Sequence, residues 1–525
     1  MNGRIRITTD EPEITYENVI SVLQKAIGKH RQNAQRIQEL LDFEEGMQPL
    51  IREKKYRSDI DCQIVDNIAN EIVEFKVGFG YGNPITFKKR NKVEGKIDAV
   101  QEFNDQYILT DSDSANQELA RFFEIGGICC TYIDTNEEYK EGENENYYIR
   151  TVLDPRTSFV IYSSYYYDKR EMAGVTYRTD PDKVLHFTVF TKDSRFEIKN
   201  WTIKNGEGVL VDQWGHEVRS GEENPLHIQP ITEFFRSYDR MGCFERQIDE
   251  MNNLNLLISD FSNDVDQNTQ TIWWSNDTEF DTVQITHDDG SVTEEIVHPK
   301  SNEWLSTFTT QDGKVPKVQP LTVNYDYAGI LNNIITQRAL ILQKCNVPQR
   351  NDNSGGSTGI AMSDATGWSA AETAACKEEM VISKSLRKEI KVICAAIRES
   401  KCPIDSPLRE IIPSDLEPSI KRQKSYELSV KTTAIATLLG QGFSLEDTLD
   451  AVPLFPDSAQ VIERSREGVE KKQNLSSESQ EVKPQSDDPL YQVENSPTLD
   501  GNSKETVETK VQTKETTSQN KESNE

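Results

Sequence analysis

An α+β chain with a polar C-terminal tail is predicted by three observations. Apolar residues recur at helical spacing over the first 125 residues and again over about 240–270, 327–346 and 363–400. Between the first two of these regions, residues 128–235 are dense in β-branched and aromatic residues, as in Tyr147-Tyr148-Ile149 and Phe159-Val160-Ile161-Tyr162. From Lys471 onward Ser, Thr, Glu, Lys and Gln dominate, and Tyr491 is the one aromatic residue. Such a composition cannot bury enough apolar surface to offset chain ordering, so the tail is expected to be disordered.

Composition excludes several classes of function. The 525 residues hold 59 Lys plus Arg against 88 Asp plus Glu, a formal charge of −29, and 35% are hydrophobic. A protein that grips nucleic acid neutralises phosphates with Lys and Arg; an acidic surface can deal with DNA only locally or without gripping. No window approaches the roughly 20 apolar residues of a membrane span. Met1 to Glu13 has no apolar signal core, so synthesis and retention in a cytoplasm are expected. The cysteines at 62, 129, 130, 243, 345, 376, 394 and 402 form no CxxC pair and do not cluster with histidines. Buried reduced thiols are expected rather than zinc or disulfides.

The elements follow in order. Val19, Leu23, Ile27, Ile37, Leu40 and Leu41 predict a first helix; Ile60, Ile64, Ile68, Ile72 and Phe75 predict a second, capped by Ser58 or Asp59 and ended by Gly78 at a glycine-rich turn running to Pro84. A third spans about Asn116 to Ile125. Asn205-Gly206 between 201–203 and 209–211 reads as a hairpin within an antiparallel sheet. From Arg240 to Gln270, Phe244, Ile248, Met251, Leu254, Ile258 and Phe261 form one stripe opposite an acidic face, on a helix of roughly 45 Å. Residues 271–325 read as a small β-rich insertion with hairpin signals at Asp289-Gly290 and Asp312-Gly313. A helix from Tyr327 to Asn346 ends at Pro348, a polar Gly/Asn/Ser loop runs to Met362, and a very long helix runs from about Ser363 to Ser400. Residues 403–466 read as short helices punctuated by prolines.

Motifs for catalysis are weak. There is no Walker A sequence and no HExxH. Gly78-Phe79-Gly80-Tyr81-Gly82 misplaces the third glycine of a dinucleotide fingerprint. Gly355-Gly356-Ser357-Thr358-Gly359 matches G-x-S-x-G literally, yet no strand precedes it and no histidine follows His298. The acidic residues of the 240–270 helix fit a solvated face, an acidic lining or a metal site; Asp260 and Asp264 share a face, and Asp266 does not. No cofactor is indicated.

The order of these pieces resembles the portal proteins of tailed bacteriophages, in the branch typical of long-tailed phages of Gram-positive hosts. Tyr56-Arg57-Ser58-Asp59-Ile60-Asp61 with Val77 to Ile85, Asp260-Phe261-Ser262-Asn263-Asp264, and Ser357 to Met362 carry the resemblance locally, which covers roughly 15–465. It implies a portal-type ring subunit and no enzyme: a mixed α/β wing at 1–236, a two-helix stem at 237–270 and 326–347, a β-rich clip at 271–325, a tunnel loop at 348–362, a long wing-to-crown helix at 363–402, a helical crown at 403–466 and a tail at 467–525. It also implies a homo-oligomer, usually of twelve, at one vertex of the virion capsid, made in the host bacterial cytoplasm. Double-stranded DNA would pass through without tight binding. Partners would be the terminase large subunit, head-completion or adaptor proteins, and the major capsid and scaffolding proteins, with no membrane. By position, Asn351, Asn353, Ser354, Gly355, Gly356 and Ser357 would face DNA, Arg338, Lys344 and Arg350 would form a basic collar, Asp249, Asp260 and Asp264 an acidic lumen, and Trp273, Trp274 and Trp304 clip contacts. Pairing of Arg338 and Lys344 with neighbouring acids is the alternative for the collar. A soluble hydrolase using the Ser357 loop, or a scaffold or adaptor without a channel, are the alternatives for the whole.

Overall fold

The computed structural model describes residues 3–50, 61–90, 97–143, 145–167, 170–200, 208–212, 214–269, 272–276, 282–287, 290–296, 315, 317–321, 326–349, 367–420, 422, 427–445, 448–449, 452 and 465. Ser58, Asp59, Asn205-Gly206, Trp304, Asp312-Gly313, Arg350, the loop residues 351–357 and the tail from 467 lie outside them. The chain divides into one unit of residues 1–459 and a second of 460–525, of which only Ser465 is described.

The first helix, α1 (Val19–Glu44), buries Val19, Val22, Leu23, Ala26, Ile37, Leu40 and Phe43, the three-to-four spacing that predicts it. Strand β1 (Thr8–Thr9) precedes it. The second helix, α2 (Ile68–Tyr81), departs from expectation at both ends. Residues 61–67 are not helical, because their backbone has another partner: the Cys62, Ile64 and Asp66 N–H groups donate to Asn263 Oδ1 at 2.7 Å, Ser259 Oγ at 3.0 Å and Asn255 Oδ1 at 2.9 Å. Acceptors four residues apart on a helix rise about 6 Å, close to the roughly 6.6 Å between alternate N–H groups of an extended chain. At its other end α2 runs through Gly78 and Gly80, where Phe75 and Phe79 stack and Trp368 packs on both. Gly82 ends it: a Cβ there would lie 2.4 Å from the Gly78 carbonyl oxygen.

Next come β2 (Thr86–Lys89), α3 (Ile97–Leu109) and α4 (Ser112–Gly126). The strand-dense region forms two sheets rather than one. In the larger, β1 pairs in parallel with β5 (Ser158–Ser163); β6 (Glu171–Thr179), β7 (Leu185–Phe190) and β8 (Ser194–Asn200) follow antiparallel, and both β9 (Gly208–Leu210) and β10 (Glu222–Glu223) pair with β8. The Ile198–Leu210 and Asn200–Gly208 pairs place the hairpin three residues earlier than its sequence signal on the first strand. The smaller sheet orders β11 (Ile231–Phe235), β3 (Ile128–Thr135) and β4 (Tyr148–Leu153), all antiparallel. α1 covers the larger sheet over Phe159, Val175, Phe187, Val189 and Ile198, while α3, α4 and the long helix enclose a core on the smaller one.

The 240–270 helix is shorter than its periodicity. Arg240 has a left-handed φ of 55°, Glu245–Gln247 is a 3-10 turn, and the α-helix proper is α5 (Ile248–Thr269), about 33 Å long. Short strands follow in two antiparallel ladders, β12 (Ile272–Asn276) with β15 (Lys317–Leu321), and β13 (Thr282–Thr286) with β14 (Val292–Ile296) around Gly290 at φ +79°. α6 (Tyr327–Lys344) returns antiparallel to α5: Phe261 meets Tyr327 at one end and Glu250 pairs with Lys344 at the other. The long helix is α7 (Trp368–Glu399). Beyond it, two 3-10 turns lead to β16 (Leu416–Ser419), which pairs with β2, and then α8 (Glu427–Gly440). A strand therefore stands where short helices alone were expected, fixed by an edge more than 300 residues earlier.

His30 on α1 gives this packing a pH signature. It stacks on Phe159 at 4.4 Å, its Nε2–H donates to the Arg156 carbonyl at 3.0 Å, and its Nδ1 has no partner among the described residues. Burial drives its pKa down to about 4, outweighing that hydrogen bond. The unfolded chain binds the proton near pH 6.5 and the folded one only near 4, so stability present above 6.5 falls between these values, by up to about 3 kcal/mol. Urea unfolding of wild type and His30→Phe at pH 7 and 4.5 should show the larger acid loss in wild type; parallel losses would remove His30 as the cause.

Candidate functional site

The joint between α7, the two sheets and the α5–α6 pair concentrates the unusual chemistry. On α7, Glu389 interrupts an apolar face of Leu386, Ile390 and Ile393 and is itself buried. It accepts from Arg150 Nε and from Thr131 Oγ1, both at 2.8 Å, and Arg150 also donates to Asn116 at 2.9 Å. One carboxylate thus ties α7 to β3 and β4, and through Arg150 to α4. Burial works against the Arg150 charge, but Glu389 outweighs it and holds the guanidinium above its ordinary pKa.

Three turns earlier Glu378 pairs with Arg236, which also donates to buried Glu124 on α4 at 2.9 Å, and Lys76 of α2 lies 4.0 Å from Glu378. Burial, with Glu378 beside it, pushes the Glu124 carboxyl up; Arg236 and Lys76 oppose that. Further along, Arg422 joins Glu372 at 3.1 Å and Glu379 at 2.5 Å. Below, buried Glu245 receives Arg4 at 2.5 Å and Arg36 at 3.1 Å, with the Gly242 N–H. Gly127, at φ +82°, lets the 240–243 turn close over the end of α4; a Cβ there would lie 2.4 Å from the Arg240 carbonyl oxygen. Sequence reasoning missed these pairs. Their one trace is a charge set among apolar residues, in sequence at Phe123-Glu124-Ile125 and on the helical face of Leu386, Ile390 and Ile393 at Glu389.

The anticipated residues are distributed as follows. Asp249, Asp260 and Asp264 fall within about 60° around α5, so the helix brings them to one side. Asp249 and Asp260 are exposed. Asp264 is half-buried, and burial plus the Asp260 charge raises its pKa. Asp266 points elsewhere, its Oδ2 accepting from Cys62 Sγ at 3.1 Å. Arg338 and Lys344 lie about 120° apart around α6 and are ion-paired within the subunit, Arg338 with Asp66 at 3.0 Å and with Glu71, and Lys344 with Glu250. Between the two helices Asp249, Glu250, Asn253, Gln337, Leu340 and Lys344 line a cleft of about 350 Å³. Trp273 sits in β12 opposite Pro320, and Trp274, opposite Gln319, is 39% exposed. Arg350, the six loop residues and Trp304 are outside the described residues. Among the described residues no group of His, Cys, Asp and Glu could hold a metal ion, and no helix is long and apolar enough to cross a membrane.

The described residues form an α+β body clamped by buried ion pairs and carrying an antiparallel helix pair joined to short β ladders. The chain belongs to the family of phage portal proteins of the SPP1 Gp6-like type, whose model matches residues 23–474. That family is structural rather than enzymatic. Comparison with curated proteins gives no match. Among solved structures, a chain described as "Neck of empty GTA particle computed with C6 symmetry" is similar at 10% identity with a TM-score of 0.38, covering 75% of this chain and 91% of that one. The family assignment rests on the sequence match alone.

The Arg150–Glu389 pair has a measurable weight. Removing one partner leaves a buried charge uncompensated, at a cost of about 3–5 kcal/mol, whereas replacing both with apolar residues is often near neutral. Arg150→Met is expected to lower the denaturant midpoint strongly, and adding Glu389→Leu should recover most of the loss. Equal midpoints for wild type and Arg150→Met would show that the pair does not hold α7.

Proposed function

We propose that the protein forms a homo-oligomeric ring, of twelve subunits by family analogy, at one vertex of the virion capsid, and that double-stranded DNA enters and leaves through its centre. The observation that carries this reading is the family match over 23–474. In its terms, residues 1–236 are the wing, α5 and α6 the stem, 271–325 the clip, 348–362 the tunnel loop, α7 the wing-to-crown helix, and 403–466 the crown. The clip, with Trp273, Trp274 and Trp304, would meet the terminase large subunit first and head-completion or adaptor proteins later. The wing would meet capsid and scaffolding proteins.

Three physical points support it. Twelve stem helices side by side at about 9–10 Å have a centre-line diameter near 37 Å; less one helix width this leaves roughly 25 Å, enough for a duplex about 20 Å wide. The acidic side of α5, with Asp249, Asp260 and Asp264, would repel phosphates if turned to that opening and keep DNA from lodging. The tunnel loop, with Asn351, Asn353, Ser354, Gly355, Gly356 and Ser357, has the composition to change shape beside moving DNA.

For Arg338 and Lys344 two roles compete: a collar that touches DNA with Arg350, or pins that hold the stem to its neighbours. Their ion pairs inside the subunit favour the second. Arg338→Gln with Lys344→Gln should lower the melting temperature of the purified subunit and leave packaged DNA length unchanged. The reverse pattern would establish the collar.

Negative-stain imaging of the purified full chain tests the reading as a whole. Rings with a central hole are expected. Monodisperse monomers across salt and protein concentration would refute the channel and return the hydrolase or adaptor alternatives.

A further inference from the structure

Charge on α7 is segregated by face. Four of its five carboxylates, Glu372, Glu378, Glu379 and Glu389, pair with the arginines named above, and exposed Glu399 closes its C-terminal end. Its outward stripe runs Lys377, Met380, Lys384, Arg387, Lys391 and Arg398, and every charged residue on it is a cation. The stripe extends about 32 Å on a chain whose net charge is −29. Lys377 and Lys391 have no hydrogen-bond or ion-pair partner among the described residues. Arg387 approaches Glu417 only to 4.0 Å, and Lys384 lies 5.8 Å from the Tyr238 ring. Met380 and Tyr238 are each 76% exposed beside these cations.

We propose that this outward face of α7 is where a second copy of the chain docks, its cations set against the neighbour's acidic surface; this rests on the ring reading above. Three observations select a second copy over DNA. First, an exposed methionine and tyrosine among the cations suit the desolvated centre of a protein interface. A phosphate backbone calls for cations alone. Second, the same chain exposes the complementary charge: Glu137, Glu138 and Glu141 in the β3–β4 connection stand without an ion-pair partner among the described residues. Third, a stripe of cations repels its own copy, so the neighbour must meet it with a different, acidic surface. A contact between unlike patches runs head to tail, and it makes a ring when the rotation between copies closes, where a self-complementary patch would stop at a dimer.

The test uses the purified full chain, with assembly read by mass photometry against protein and salt concentration. Wild-type rings are expected to loosen with salt. Lys377→Glu with Lys384→Glu and Lys391→Glu should raise the concentration needed for assembly about a hundredfold, with an unchanged melting curve. If that variant melts early, Lys377→Gln with Lys391→Gln carries the test, with a shift of about tenfold expected. Wild-type rings with variants that assemble identically would overturn this inference and leave the ring reading intact. Intact variant rings that have lost binding to a 30-base-pair duplex (about three turns) held by wild type would assign the stripe to DNA and overturn it too. A wild type that never assembles would overturn both.

Discussion

The position of α7 is the constraint on which the rest of the subunit depends. It crosses the smaller sheet, ends next to the strand that closes on β2, and begins beside α2 at Trp368. Hydrophobic burial alone would let a 32-residue helix slide by a turn, since Leu386, Ile390, Ile393 and Ile397 are nearly interchangeable in a core. Glu389 is not interchangeable. Moved by one turn, it would leave Arg150 buried without its counter-ion and put a carboxylate into the apolar core. Net stabilisation by such a pair is small, but the penalty for the wrong register is several kcal/mol. The buried ions specify a register more than they add stability, and Glu378 with Arg236 and Lys76 repeats the device three turns away.

The same logic, in neutral form, fixes α5. Asn255, Ser259 and Asn263 offer acceptors one turn apart to alternate N–H groups of residues 62–66, and Asp66 then reaches α6 through Arg338. One extended segment therefore touches both members of the helix pair. Asn255 also donates to Gln48, just past α1, so the segment is tied back to the body. Displacing α5 along its axis by less than a full turn would break all three backbone contacts together, which makes the joint stiff to small movements.

These two devices also mark where the sequence stops being legible. α1, α6 and α7 can be read from apolar spacing because their periodicity is a local property. The start of α2 cannot: Ile60, Ile64 and Ile68 continue the period, and what pulls 61–67 out of it is a row of side chains nearly 200 residues later. The turn at Arg240 is hidden in the same way by Glu233 and Glu245, which hold it from outside the helix. At the site, Asp249, Asp260 and Asp264 come to one side as helical geometry requires. Arg338 and Lys344 share a helix but not a direction, since their partners sit on different elements. The buried pairs were visible only as charges set among apolar residues, a signal that names one residue and not its counter-ion.

Acidity acquires a distribution once the pairs are known. If the charge were spread evenly, copies carrying −29 each would repel wherever they met. Instead four of the five carboxylates of α7 pair with arginines of the same chain, which leaves its outer stripe from Lys377 to Arg398 cationic. Asp249 and Asp260 of α5 and the glutamates of the β3–β4 connection stay exposed. A chain arranged this way can attract a neighbour along one surface and repel an anionic polymer along another, with the same net charge. Pairing these glutamates inward therefore does two things at once: buried Glu389 sets the register of the helix, and the cations on its far side are left uncovered.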